Sequence, residues 1–208
     1  MRTAILSDIH GNLEALEIAL ASIEAHQIDR IVCLGDLVDG GAYNDEVVQR
    51  IRDLQVLTVQ GNHDLSNDCG LQSDHQDWLN QLPEEIVEND IIFTHISPRS
   101  ARKKIDNNIE AWNAFDEMKQ RLCFIGHIHF PVMYGAQCEF FGESQLYEID
   151  QGSYTLDKND RYIICCGAIG YPRGGGKFIR YGIYDDTAER VEFIKLDGIL
   201  LPYGLCAI

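Results

Sequence analysis

Long apolar runs are missing from this chain. Nothing in its 208 residues comes near the roughly 18 consecutive apolar positions of a membrane-spanning helix, so no span is expected. Positive charge is also scarce. Lys and Arg number 17 against 33 Asp and Glu, a net charge of −16, with a pI near 4.6. A surface of that sign repels phosphate backbones, which argues against generic nucleic-acid binding. The only dense basic cluster is Arg99, Arg102, Lys103 and Lys104, expected to be a solvated surface or one rim of a pocket. The start, Met1-Arg2-Thr3-Ala4-Ile5-Leu6, is too short and too soon polar for a signal peptide. No Cys-x-x-Cys pair occurs among the seven cysteines, and Cys33, Cys123, Cys165 and Cys166 lie in apolar runs. Buried, reduced thiols in a cytoplasmic protein are expected. There is no internal repeat and no low-complexity linker. The single glycine run, Gly174-Gly175-Gly176, lacks a following Lys-Ser/Thr and reads as a turn rather than a phosphate cradle.

What is there suits one globular domain over residues 1–208, with 45% hydrophobic residues. The first half alternates between two periods. Strands are expected at 2–7, 30–35 and ending at Val59. Between them run a helix carrying Leu13, Leu16, Ile18, Leu20 and Ile23 and another over 44–54. That β-α-β-α-β order implies parallel neighbours joined by right-handed crossovers. Residues 62–75 read as a loop and 74–82 as a short helix stopped by Pro83. Strands 85–88 and 91–95 form a hairpin across Asn89-Asp90. A basic loop over 98–108 precedes a helix over 109–120. Short strands follow at 122–125, 131–135, 146–150, 162–166, 178–184 and 190–195. The expected class is α/β, with two packed sheets and helices outside. His26 and His75 read as surface residues, and Trp78 and Trp112 as core or interface. The apolar tail Ile199-Leu200-Leu201-Pro202-Tyr203 suits either core packing or a homo-oligomer contact.

Five polar clusters each end an apolar run: Asp8-Ile9-His10, Gly35-Asp36, Gly61-Asn62-His63-Asp64, Thr94-His95 and Gly126-His127-Ile128-His129. Singly, each is weak, since a histidine at a strand end is usually a structural hydrogen-bonding residue and Gly-Asp is usually a turn. Their conjunction after successive strands is what carries meaning. Carboxylate, amide and imidazole groups at one sheet edge suit Mn, Fe, Zn or Ni. A carboxylate at Asp36 could bridge two cations, with Gly35 giving the backbone room to turn.

Asp-x-His-Gly-Asn at 8–12, Gly-Asp-x-x-Asp at 35–39, Gly-Asn-His-Asp at 61–64, His95 and Gly-His-x-His at 126–129 resemble the motif series of the calcineurin-like metallophosphoesterases. Gly167 to Arg173 and Phe178 to Asp185 further resemble the glycine-rich Pro-Arg loop and next strand of the small single-domain phosphodiesterase branch. The resemblance implies a four-layer αββα sandwich with two mixed β-sheets and a dinuclear site. It implies that Asp8, His10 and His129 hold one metal, that Asn62, His95 and His127 hold the other, and that Asp36 bridges. His63 would then be the general acid, oriented by Asp39. Arg173 is a candidate substrate contact. Two cations about 3.5–4 Å apart can polarise phosphoryl oxygens and lower the pKa of a bridging water toward roughly 7, making hydroxide available as nucleophile.

The expected activity is hydrolysis of a small phosphate ester, with a phosphodiester first and manganese as the first metal. A phosphomonoesterase, a dinucleoside-polyphosphate hydrolase and a catalytically inactive binding scaffold are the alternatives. The chain departs from the protein serine/threonine phosphatases, whose Gly-Asp-x-x-Asp-Arg-Gly and Gly-Asn-His-Glu motifs become Asp39-Gly40-Gly41 and a closing Asp64 here. The phosphate-clamping arginine is therefore missing. The retained His63 counts against a scaffold, which has no chemical need of a proton donor.

Overall fold

The computed structural model describes residues 1–171, 173, 177–198 and 201. Its first half follows the expected alternation: β1 (Arg2–Leu6), α1 (Leu13–Glu24), β2 (Arg30–Cys33), α2 (Asn44–Asp53) and β3 (Leu57–Thr58). Local chemistry sets the helix ends. Asn12 Oδ1 accepts from the Ala15 amide at 3.1 Å and caps α1. Helix α2 has Asp45 and Glu46 in its first turn and Arg50 and Arg52 in its last, which suits the helix dipole. Next come α3 (Asn62–Leu65), α4 (Ser73–Asn80), β4 (Glu85–Glu88), β5 (Ile91–Thr94) and α5 (Asn108–Glu117). The chain continues through β6 (Leu122–Ile125), β7 (Pro131–Gly135), β8 (Gln145–Glu148), β9 (Gly152–Thr155), β10 (Tyr162–Cys166), β11 (Phe178–Asp185) and β12 (Arg190–Asp197).

The strands form two mixed six-stranded sheets. One has the order β3-β2-β1-β11-β12-β9 and the other β4-β5-β6-β10-β7-β8. Side-chain alternation along β1 explains the layering. Ala4 and Leu6 face α1, α2 and α4, in a core with Leu16, Val48, Ile51 and Leu79. Ile5 points the other way, into an inter-sheet core with Val32, Leu34, Phe93, Phe124 and Ile164. Phe93 and Phe124 stack there with ring centroids 5.6 Å apart. Beyond the second sheet, Ala111 and Phe115 of α5 pack on Ile125 and Ile163. Helix, sheet, sheet, helix is thus the order of layers, the four-layer αββα sandwich.

Three features differ from the expected elements. Residues 62–65 form a one-turn helix instead of loop, and β9 was not foreseen. His75 is buried, not a surface residue: its ring nitrogens lie 2.5 Å from Asp45 Oδ1 and 3.1 Å from Gln49 Oε1. Each member of the basic cluster is ion-paired: Arg99 with Glu110 and Glu117, Arg102 with Glu84, Lys103 with Glu110 and Lys104 with Asp106. Among the described residues the cysteines are unpaired, and no helix is long and apolar enough to cross a membrane. The run Gly174–Gly176 and most of the 199–203 tail lie outside the described residues.

Candidate metal centre

Parallel strands deliver their C-terminal ends to one edge, where the polar clusters meet. Asp8 and His10 follow β1, Asp36 follows β2 and Asn62 follows β3. His95 follows β5 of the other sheet, and His127 and His129 follow β6. Ligand-capable atoms of Asp8, His10, Asp36 and His129 lie within 4.8 Å of one another, as do those of Asp36, His95 and His127. Asp36 is common to both groups. His129 Nε2 lies 3.0 Å from Asp8 Oδ1, His95 Nε2 3.0 Å from Asp36 Oδ2 and His10 Nε2 3.7 Å from Asp36 Oδ2.

The rings are fixed from behind. His10 Nδ1 donates to the Asp39 carbonyl at 2.7 Å, His95 Nδ1 to the Leu34 carbonyl at 2.7 Å, and His129 Nδ1 to the Tyr171 carbonyl. A carbonyl only accepts, so the Nδ1 proton is assigned and Nε2 is left facing the carboxylates. Nε2 of His10 and His95, and Oδ2 of Asp8 and Asp36, are buried without a hydrogen-bond partner; the close His95–Asp36 pair is misaligned for one. Orphaned buried polar atoms are costly, and metal binding by the two groups that contain them would satisfy them. Asn62 Oδ1 and His127 Nδ1 are 2.9 Å apart and bonded to each other on the second side.

Charge at the edge is set by opposing forces. Burial works against ionisation of Asp8 and Asp36, but the facing histidines outweigh it and hold both carboxyls below the usual range. Burial depresses His10, and it brings His127 down to about 4 with help from the His95 charge. Burial also opposes charge on His95, yet Asp36 and Asp8 raise it to about 9.

Sequence reasoning gave Asp64 no role, and the structure gives it one. Its buried carboxylate accepts the amides of Asp36, Leu37 and Gly61, each at 2.8 Å. Asp64 thereby ties the turn carrying Asp36 to the turn carrying Asn62 and His63. Burial and the Asp36 charge push its carboxyl up to about 6 against the pull of those amides. Its signal was an acidic third residue after a helix-starting glycine, half of a capping box. Gly61 has to be glycine for a related reason: a Cβ there would stand 2.2 Å from Asp36 Oδ1. Tyr171 was missed as well. Its ring meets those of His10 and His129 edge-on at 5.5 Å. His63 Nδ1 lies 2.6 Å from Asp39 Oδ2, both residues half-buried. Arg173 is exposed, its guanidinium 5.9 Å from the centre of the Tyr171 ring.

The family model of the calcineurin-like phosphoesterase superfamily domain matches residues 1–185. The chain belongs to this superfamily. Its members are metal-dependent phosphoric ester hydrolases, which agrees with the orphaned ligand atoms at the edge. The chain is 32% identical to the uncharacterised protein MJ0912 of Methanocaldococcus jannaschii, over 93% of its own length and 86% of that protein's. It is also 32% identical to the metallophosphoesterase of Sphaerobacter thermophilus, with a TM-score of 0.85 over 96% of this chain and 90% of that one. A structurally characterised archaeal phosphodiesterase shares the fold at 20% identity and a TM-score of 0.56, over 94% of this chain and 100% of that one.

Proposed function

We propose that this chain is a single-domain phosphodiesterase working with two divalent cations, manganese first, at the edge where both sheets end. The observation that carries the reading is the convergence of His10 Nε2, His95 Nε2 and Asp36 Oδ2, all buried and all without hydrogen-bond partners. Asp8, His10, Asp36 and His129 would hold one cation, and Asp36, Asn62, His95 and His127 the other. Iron, zinc or nickel suits the same donors. When bound, such a pair supplies Lewis acidity toward phosphoryl oxygens and water.

The chain's own groups do the rest. His63 Nδ1 bonds Asp39, which leaves Nε2 to hand a proton to the departing ester oxygen. Asp39 holds the ring and does not itself touch substrate. Arg173 would meet a phosphoryl oxygen from the rim. The diester preference follows from charge. A monoester dianion calls for a fixed cationic clamp, and Gly40 and Gly41 stand where the serine/threonine phosphatases have Arg-Gly. A small monoanionic diester in a cytoplasmic setting is the substrate class proposed.

The test compares manganese-loaded protein on bis(4-nitrophenyl) phosphate, 4-nitrophenyl phosphate and a diester with an alkyl leaving group. With the leaving group held the same, bis(4-nitrophenyl) phosphate should turn over faster than 4-nitrophenyl phosphate. His63→Ala should keep its metal and lose roughly 10²–10⁴-fold on the alkyl leaving group, with a smaller loss on nitrophenolate. Metal bound without any turnover would leave a binding scaffold, and loss of metal from the variant would make His63 a structural support.

A further inference from the structure

The chain leaves β12 at the metal edge. Strands β1 and β12 both pair antiparallel with β11, so they run in the same direction, and Asp197 lies opposite Phe178 at the end where β11 begins. Four residues later, Leu201 is fixed at that edge. Its amide donates to the Gly170 carbonyl at 3.0 Å. Its side chain stands over Gly40: Leu201 Cδ1 and His10 Cβ each lie 3.1 Å from the point where a Cβ on Gly40 would sit. Gly40 follows Asp39, the partner of His63, and the rings of His10 and His63 are 5.0 Å apart. Leu201 therefore flanks His10, on the side of the site where His63 stands.

Tyr171 reaches His10 too, with its ring 5.5 Å away, and the Gly170 carbonyl that holds Leu201 is on the neighbouring residue. On the other side, Asn62 Oδ1 and His127 Nδ1 bond each other. The edge is thus asymmetric: Leu201 and the Tyr171 ring, the latter under the Arg173 guanidinium, border His10, while the bonded Asn62 amide and His127 imidazole border the other half. A half-buried leucine is held in place here by a backbone hydrogen bond, with no side chain at Gly40 to cover it.

We infer that Leu201 is a specificity-determining residue, forming with Tyr171 an apolar wall that receives an aryl-sized, apolar ester group beside His63. This rests on the phosphodiesterase reading. An ester group of that kind buries its carbon against the wall, while a methyl group is too small to reach it. Truncating Leu201 removes contact area and no polar interaction, so the effect should appear in binding and only for the larger group.

The test is calorimetric titration of manganese-loaded protein with two probes, monomethyl benzylphosphonate and monomethyl methylphosphonate. In each a P–C bond replaces the scissile P–O bond. Wild-type protein should bind the benzyl probe more tightly. Leu201→Ala should weaken the benzyl probe by roughly five- to tenfold and the methyl probe by less than about twofold, with metal content unchanged. Leu201→Met, which keeps the volume, should restore the benzyl affinity. Equal affinity of wild-type protein for the two probes, binding of neither, or a loss in Leu201→Ala shared by both probes would overturn the wall. Hydrolysis is not part of this readout. Protein that discriminates the probes through Leu201 but cleaves no diester overturns the phosphodiesterase reading alone.

Discussion

Six of the eleven non-glycine residues with positive φ among the described residues are Asp8, His10, Asp36, Asp39, His127 and His129. Each side chain in that region costs conformational energy, of order 1–3 kcal/mol where the conformation is sparsely populated. The cost concentrates where the residues of the candidate site turn off strand ends, so the surrounding bonds have to over-determine the backbone. Asp64 is the clearest of these restraints. Its carboxylate accepts three buried amides, and an asparagine can accept only through its one oxygen while placing an NH2 against the remaining donors. Asp64→Asn should therefore lose about 1–3 kcal/mol for each amide left unmet, and should bind metal more weakly as Asp36 drifts. Thermal melts together with metal content after dialysis check this. A variant with unchanged melting and full metal would show that the Asp36 turn holds itself.

At the scale of elements, the parts legible in the sequence were those governed by periodicity. Strands β1, β2, β5 and β6 are short apolar runs with polar residues following their C-terminal ends, β10 is an apolar run throughout, and α1 and α2 repeat at helical spacing. The metal-edge residues were legible for the same reason, because each follows a strand. Strand β9 was not, since Gly152-Ser153-Tyr154-Thr155 is largely exposed and gains its strand character from pairing with β12. His75 was misread because its burial comes from polar bonds to Asp45 and Gln49, which leave no apolar pattern. The role of Leu201 was illegible too: a contact with Gly40, some 160 residues earlier in the chain, has no local signature. The inter-sheet core offers a test at this scale. Phe124 is fully buried on β6, between Phe93 and Tyr184, two residues before the Gly126–His129 turn. Phe124→Ala should cost about 3–5 kcal/mol, read as a lower urea midpoint at unchanged slope. A loss below about 1 kcal/mol would mean the sheets are not held by this layer.

For the whole molecule, the decisive arrangement is that neither sheet owns the proposed metal set. Asp8, His10, Asp36 and Asn62 come from one sheet, and His95, His127 and His129 from the other. Cations that bind only the folded chain stabilise it by mass action, about 2.7 kcal/mol at a hundredfold excess over Kd. For a chain of this size that corresponds to a rise in Tm of roughly 5–10 °C, which calorimetry with and without manganese would detect. A melting point indifferent to metal would argue against occupancy of the edge. The two leaves of the sandwich meet along the Phe93–Phe124 layer and, at their polar margin, through a few hydrogen bonds such as those from His95 Nδ1 to the Leu34 carbonyl and from the Ile169 amide to the Ser7 carbonyl, beside buried ligand-capable atoms that have no hydrogen-bond partner. A chelator should thus act on this chain as a reductant acts on a disulfide-bonded one. It withdraws a cross-link at one margin and leaves the hydrophobic seam and those few hydrogen bonds to hold the leaves together, so the first peptide bonds to become open to a protease should be those of the turns at 35–41, 61–66 and 126–130.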